Sequence, residues 1–316
     1  MFHYFGDMRM SVKEFDVIVV GEGISGLTAA ATLVDRGLRV ATFEQTLFGG
    51  LVLNINELRP GPRGEPASGA DLGAILMEKN FEAGVTSVQE PVTGVEQDGG
   101  GFAVVTPGGR YRARQVLLAC GARLKKLDVP GEEQFAGRGV SHCAGCDGPM
   151  NVGTPVVVVG GGDSALQEAL VLTEFASKVI LIHRGETFRA REEFAKEVLA
   201  HPKIQVIWNA NVAAIGGDKA VKHVRVLHAG GRTEELACTG VFAYIGLQPS
   251  TDCLPLTIEK AADGAVLTNA QFETSMPGVW AIGAVRHGYA GQLPDAVAEA
   301  DAVAAALFGR LAAQPA

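Results

Sequence analysis

Short, unbroken apolar runs that end in glycine and lead into helix-period stretches dominate the pattern of this chain. Residues 16–21, DVIVVG, read as a buried strand, because four apolar positions in succession leave no polar face. They run into GEGISG, then the helical stretch LTAAATLVDRG, then a second strand, RVATFE, ending at Glu44. The same order returns from residue 155: PVVVVG, GGGDSA, LQEALVLTEFA, and KVILIH ending at His183. Gly160 lies 139 positions after Gly21, and His183 lies 139 after Glu44, so the two units align without a gap.

A glycine-rich turn between strand and helix has a physical reading in that frame. The first glycine permits the tight turn, the second lets a diphosphate approach the backbone, and the third lets helix and strand pack closely. The diphosphate then rests on the positive end of the helix. Gly21, Gly23 and Gly26 fill these places in the first unit, and Gly160 and Gly162 open the second. Glu44 stands where a carboxylate accepts hydrogen bonds from an adenosine ribose, as on FAD or NAD. The second unit has no acid there and offers His183 and Arg184, with Arg189 one and a half turns further on if helical. Cations at this place suit a 2′-phosphate and predict NADP(H), with NADH the alternative. Glu186 would oppose that phosphate, and a basic strand end facing solvent is the plainer reading.

The 316 residues allow about two domains at the usual ~100–200 residues each. The predicted fold is α/β, with two Rossmann-like dinucleotide-binding domains. Apolar residues make up 47% and mean hydropathy is +0.18, the composition of a compact globular chain. Lys and Arg total 27 against 35 Asp and Glu, and a net charge of −8 argues against nucleic acid as a partner. No apolar run is long enough to span a membrane. Residues 1–10 read as an N-terminal extension, because MFHYFGDMRMSVKEF lacks the apolar stretch of a secretory signal. Five cysteines, an odd number spread over a long chain, fit a reducing cytoplasm better than a secreted disulfide framework.

Two of the five form a Cys-x-x-Cys in GRGVSHCAGCDGPM, residues 137–150. Alone, Cys143 and Cys146 admit a metal site, a structural staple or an electron-carrying dithiol. The spacing lets two sulfurs close a small ring while each stays open to attack by an outside thiolate. A zinc site needs four ligands, usually two such pairs. Cys120, Cys238 and Cys253 stand apart in the sequence and only His142 adjoins the pair, so no metal is expected and a redox dithiol leads. Asp147, next to Cys146, is the candidate proton source for a departing thiol. His142 either lowers the thiol pKa or is a surface residue. The other three cysteines read as small core residues.

Two dinucleotide folds with a CxxC between them resemble the low-molecular-weight thioredoxin reductase family, over a span from Phe15 to about Leu307. GEGISG is similar to its FAD fingerprint, FGGL (48–51) to its flavin loop, and LACGARLKKLDVPGEE (118–133) to its first crossover. GVSHCAGCDG is similar to its redox segment, GGGDSALQEAL to its pyridine-nucleotide fingerprint, and HRGETFRA (183–190) to its phosphate clamp. GVFAYIGLQPST (240–251) resembles the return crossover and WAIGAVRHGYAGQ (280–292) the segment that closes over FAD.

The resemblance implies that the second domain is inserted into the first. Residues 11–124 and 246–316 would bind FAD, and 125–245, carrying the CxxC, would bind NAD(P)H. It implies FAD contacts at Gly21, Gly23, Ser25, Gly26, Glu44 and Gly50, and also at Leu51, Asn56, Val92, Gly283 and Gln292. The implied NAD(P)H contacts are Gly160, Gly162, Asp163, Ser164, His183, Arg184 and Arg189. Cys146 would be the flavin-facing thiol, Cys143 the one that attacks a substrate disulfide, and Asp147 the general acid–base. A homodimer with swivelling domains is implied too, with a thioredoxin-like protein or a small disulfide or dithiol as substrate. Electrons would run from NAD(P)H through FAD to the pair and on to that disulfide.

Four positions depart from the family pattern. Ala284 replaces an Asp that hydrogen-bonds the flavin side chain, a loss of about 0.5–1.5 kcal/mol. Leu51 replaces a Gln, Gly291 an Arg, and Gly185 the second Arg of the clamp. They keep three alternatives open: a flavin-dependent dithiol oxidase, a ferredoxin- or flavoprotein-fed reductase, and a non-catalytic flavin-binding subunit. Intact cysteines beside Asp147 argue against the last.

Overall fold

The computed structural model describes residues 13–55, 58, 67–254 and 257–313. The N-terminal extension and Asn56 lie outside the described residues. Strand β1 (Glu14–Val20), helix α1 (Ile24–Asp35) and strand β2 (Val40–Phe43) form where the apolar pattern placed them. Helix α2 (Gly69–Ala83) follows, started by a reciprocal Ser68–Asp71 cap and stopped by Gly84 in the left-handed conformation. Strands β3 (Thr86–Val88), β4 (Gly94–Asp98), β5 (Gly101–Thr106) and β6 (Gly109–Leu118) bring this sheet to six of its seven strands. Its order is β3-β2-β1-β6-β5-β4. β3, β2, β1 and β6 run parallel, while β5 is antiparallel to β6 and β4 is antiparallel to β5.

After β7 (Ala122–Leu124) the chain builds a second sheet from β8 (Val140–Ser141), β9 (Pro155–Gly160), β10 (Lys178–Ile182), β11 (Ile204–Ile207) and β15 (Gly240–Tyr244). The order β11-β10-β9-β15-β8 is parallel throughout. Helices α3 (Ala144–Asp147), α4 (Asp163–Leu172) and α5 (Glu192–Ala200) belong to this unit. So does an antiparallel sheet of β12 (Ala210–Gly217), β13 (Val221–His228) and β14 (Thr233–Ala237). Strand β16 (Leu247–Pro249) pairs with β7 as the chain returns. β17 (Val279–Ala281) then joins β6, and α6 (Leu293–Ala313) ends the described chain.

Two compact units result, each Rossmann-like. One holds the described residues up to 53, 58, 67–122 and those from 249 onward; the other holds 54–55 and 123–248.

The apolar runs are continuous because both faces of each central strand are covered. Val17 and Val19 of β1 pack with Ala29, Ala30 and Leu33 of α1 and with Ala300, Val303 and Leu307 of α6. Ile18 and Val20 face the opposite core, with Phe102, Val104 and Val266. In the second unit Val156 and Val158 of β9 pack on Leu166, Ala169 and Leu172 of α4, while Val157 and Val159 face Val212, Val224 and Val226 of the antiparallel sheet.

In the first unit α1 lies very close to the turn before it. A methyl group at Gly26 would lie 2.1 Å from the Gly21 carbonyl oxygen and 3.3 Å from the Ala119 side chain. Gly26→Ala should therefore destabilise the protein by about 1–3 kcal/mol through overpacking, read as a lower midpoint in urea unfolding; an unchanged midpoint would refute this account of the packing.

Candidate functional site

In each unit the first and second glycines of the turn do different work. Gly21 holds φ +109°, and a side chain there would strike the Ala119 carbonyl at 2.4 Å. Gly160 holds φ +155° and is closed off in the same way by Tyr244 O at 2.5 Å. Gly23 has only Gly49 O at 4.0 Å from an added methyl, and Gly162 has nothing within 4 Å. Both are extended N-cap residues of their helices, α1 and α4, with no side chain capping the first N–H groups. Open space above uncapped helix N–H groups fits the diphosphate of a dinucleotide. The third place is Gly26 in the first unit and the fully buried Ala165 in the second.

Further groups gather round the first turn. Glu44 accepts hydrogen bonds from the backbone N–H groups of Gln45 (2.9 Å) and Thr46 (3.1 Å) at one oxygen and of Glu22 (3.1 Å) at the other. Its second oxygen keeps acceptor capacity for a ribose hydroxyl. Gly49 bridges to Gly23 in parallel fashion, and a methyl at Gly50 would sit 3.5 Å from Gly23 Cα, so the FGGL loop lies directly on the fingerprint. Leu51 is half-buried beside it. Gly283 also comes to this turn, since an added methyl would meet Ser25 Oγ at 2.6 Å; its N–H donates to Glu299 at 2.8 Å. Ala284 follows it, half-buried. Val92 packs against the core beside Val88, whose carbonyl accepts the Glu44 N–H at 3.1 Å. Gln292 is exposed ahead of α6, its carbonyl accepting from Ala296 N–H at 3.2 Å.

Sequence reasoning passed over Glu22, which lies between the first two glycines of the fingerprint. It is 1% exposed, and Thr42 and Ser87 hydroxyls each donate to its carboxylate at 2.6 Å. The signal was available: an acid between two fingerprint glycines has to find donors as it is buried.

In the second unit a cavity of about 360 Å³ opens above Gly160 and Gly161, lined by Arg184, Arg189, Asn211 and Lys125 among others. Two placements are decided here. His183 lines the cavity but is buried, with its Nδ1 facing the Gly160 carbonyl at 2.9 Å and its Nε2 facing the Thr187 carbonyl at 3.0 Å; a neutral ring donates to one of the two. Both nitrogens face the protein backbone, so the ring braces the turn. Residues 184–191 are not helical; Arg189 reaches the cavity because its N–H donates to Gly161 O at 2.8 Å, folding the loop back. Arg184 and Arg189 are exposed, as are Glu186 and Ser164. Asp163 caps this arrangement by accepting from Arg191 N (2.8 Å) and Nε (2.9 Å).

Cys143 and Cys146 are joined in a disulfide. Cys143 is the N-cap of α3, and its sulfur accepts the Cys146 N–H at 3.2 Å, an arrangement that favours a thiolate there after reduction. Cys143 is buried while Cys146 is exposed, so the sulfur an outside molecule meets first is Cys146. The segment is tied to the unit's core from two sides. His142 Nδ1 donates to Ala243 O of β15 at 3.0 Å, which makes it an anchor. Glu168 of α4 accepts the Ala144 N–H at 3.0 Å and the Tyr244 hydroxyl at 3.3 Å. Burial raises the Glu168 pKa, against the lowering effect of those two donors. Asp147 is half-buried, next in sequence to Cys146. Glu168 was missed in the sequence because nothing in LQEAL marks one polar position as facing inward.

Among the described residues no three His, Cys, Asp or Glu side chains gather as a metal site. Cys238 is a core residue, as expected, with its thiol pushed up to about 12 by burial. Cys120 and Cys253, which stand apart in the sequence, both pack on the rim of the first unit's core, and the Cys120 thiol donates to Ser250 O at 3.0 Å.

Two nucleotide-type turns and a CxxC disulfide define a dinucleotide-dependent thiol–disulfide enzyme. The chain belongs to the pyridine nucleotide-disulphide oxidoreductase family, whose model matches residues 15–300. It is 39% identical over 275 residues to thioredoxin reductase of Treponema pallidum, covering 86% of this chain and 89% of that protein. It is 38% identical over 273 residues to the bifunctional thioredoxin reductase/thioredoxin of Mycobacterium leprae, covering 85% of this chain and 59% of that one. Its fold is similar to the crystal structure of thioredoxin reductase from Lactococcus lactis in the FR conformation, with TM-score 0.89 and 31% identity over 95% of this chain and 100% of that one.

A buried carboxyl with a raised pKa binds its proton more tightly folded than unfolded, so it costs stability as pH climbs above 4.5, its ordinary value. Glu168→Gln should therefore gain on the wild type in urea-unfolding free energy as pH rises from 4.5 toward 8, the gap levelling off once the wild-type carboxyl has ionised; a gap that does not change with pH would contradict the burial account.

Proposed function

We propose that this chain is an FAD-dependent NAD(P)H:disulfide oxidoreductase that reduces a thioredoxin-like protein or a small disulfide. The observation that carries the reading is the Cys143–Cys146 disulfide, seated in the same unit as one of two open, uncapped glycine turns. The first unit would hold FAD through Gly21, Gly23, Ser25, Gly26 and Glu44, with Gly50 and Gly283 closing over it. The second would hold the nicotinamide nucleotide at Gly160 and Gly162, with Arg184 and Arg189 toward a 2′-phosphate. When bound, FAD supplies two-electron carriage between the reduced nicotinamide and the disulfide. A homodimer and a cytoplasmic setting belong to the same reading, and no described helix is long and apolar enough to cross a membrane.

The thiol chemistry lies in this chain's own residues. In the reduced pair the Cys143 thiolate, held by the Cys146 N–H, attacks one sulfur of the substrate disulfide and expels the other as a thiolate. Cys146 then displaces the second substrate thiol and closes the Cys143–Cys146 bond again. Two thiols become a disulfide in the enzyme, and one disulfide becomes two thiols in the substrate. Asp147 moves the proton at Cys146. Cys143 is covered in this structure, so its attack requires the segment around it to open.

Three measurements test this. In an anaerobic titration NADPH should bleach the flavin of the purified protein; bleaching by a dithiol alone, or by neither, would overturn the proposal. In the variants, Cys146→Ser should trap a stable mixed disulfide with the substrate and Cys143→Ser should not; the reverse result would transfer the attacking role to the exposed Cys146. Arg184→Ala with Arg189→Ala should raise KM for NADPH roughly tenfold by removing charge-assisted hydrogen bonds, with little change for NADH; equal effects on both nucleotides would show that these cations do not read the phosphate.

A further inference from the structure

The short α3 begins between the two cysteines, and a carboxylate from another helix sits on its first N–H. Ala144 N is the peptide nitrogen that directly follows Cys143, and it donates to Glu168 Oε2 at 3.0 Å. The same oxygen accepts the Tyr244 hydroxyl at 3.3 Å. Cys143 Sγ belongs to the same turn, accepting the Cys146 N–H at 3.2 Å. Cys143 is buried and Glu168 half-buried, where charges are screened less than in open water. The segment's own titratable neighbours are His142, turned to Ala243 O of β15, and Asp147. Residues 148–151 that follow bring none. By hydrogen bond α4 contributes Glu168 and β15 contributes Tyr244.

We propose that Glu168 is a positioning residue that makes the Cys143–Cys146 pair a stronger reductant, by holding a negative charge beside the Cys143 thiolate. Its role rests on the function proposed above, in which that pair is the reductant. The Cys146 N–H favours a thiolate on Cys143, and the carboxylate opposes it, because neighbouring like charges disfavour ionisation. In the disulfide neither sulfur is charged, so the carboxylate raises the free energy of the reduced pair alone. The pair then gives up its two electrons more readily. One protein dithiol and one acceptor disulfide go in; one protein disulfide and two acceptor thiols come out, with both protons carried over. The penalty exists only where Cys143 is ionised. It is absent at low pH and complete above the pKa of that thiol, whereas a tether without charge would act alike at every pH.

The test compares the purified full chain with Glu168→Gln, whose amide keeps an oxygen for Ala144 N–H and Tyr244 and removes the charge. Each protein is equilibrated with mixtures of reduced and oxidised dithiothreitol, quenched in acid and alkylated. Mass spectrometry then reads the fraction of Cys143–Cys146 that is open. At about pH 9, above the ordinary thiol pKa, the variant should be half-reduced at a lower ratio of dithiol to disulfide. The expected difference is roughly tenfold, about 30 mV for two electrons, and it should vanish toward about pH 6, where thiols carry their protons. Tyr244→Phe, which drops the hydroxyl and keeps the carboxylate, should stay with the wild type. Midpoints that coincide at every pH, an offset that does not change with pH, or the same shift in Tyr244→Phe would overturn the proposal. Dithiothreitol exchange needs no nucleotide, so it can fail while the anaerobic NADPH titration succeeds; a pair that dithiothreitol never opens would overturn both readings.

Discussion

Two backbone segments approach so closely at the start of α1 that no side-chain atom fits between them: a methyl at Gly26 would stand 2.1 Å from the Gly21 carbonyl. That approach lays the helix against β1 and aims its first N–H groups at the space above Gly23. An anion placed there meets uncapped donors and the positive end of a helix dipole together. The FGGL loop, Glu44 and the Ser25–Gly283 contact are arranged around this one point. Each of them sits close because glycine leaves the room, at Gly50 and Gly283 as well as Gly23.

The second unit repeats the constraint and adds a load to it. α4 begins at Gly162 in the same extended conformation, and its buried Ala165 is just small enough for the place that Gly26 fills in the first unit. One turn further along, the same helix presents Glu168 to the N–H of Ala144, while β15 receives His142. The redox disulfide is therefore held by the helix and sheet that also form the nucleotide turn. A carboxylate accepting from the short α3 and from a tyrosine hydroxyl is a directional tether, stronger per bond than neutral contacts. Its burial is the cost, and the raised Glu168 pKa records it.

Much of this was legible in the residues. Strand, turn, helix and strand fell where the apolar runs and glycines indicated, because a strand covered on both faces needs an unbroken apolar run and a tight turn needs glycine. The open second glycines and the acid at Glu44 followed from the same pattern. The path from Arg184 to Arg189, which the sequence left open, is not helical, because a long-range hydrogen bond from Arg189 to Gly161 folds the loop instead. His183 lies at the cavity with its two ring nitrogens facing backbone carbonyls. Local pattern carries no information about such partners.

By itself the sequence determined the two α/β units, their glycine turns and the CxxC that follows the first crossover, for these depend on spacing within a few dozen residues. The tertiary structure alone decided which groups meet across longer separations. It brought Glu168 to Ala144, Ser25 to Gly283 and Cys120 to Ser250, and it buried Cys143 while leaving Cys146 outside. The reason is physical. Backbone conformation is dictated by near neighbours and by the steric limits of each residue, whereas a side chain's partner and its access to solvent depend on how separate elements pack.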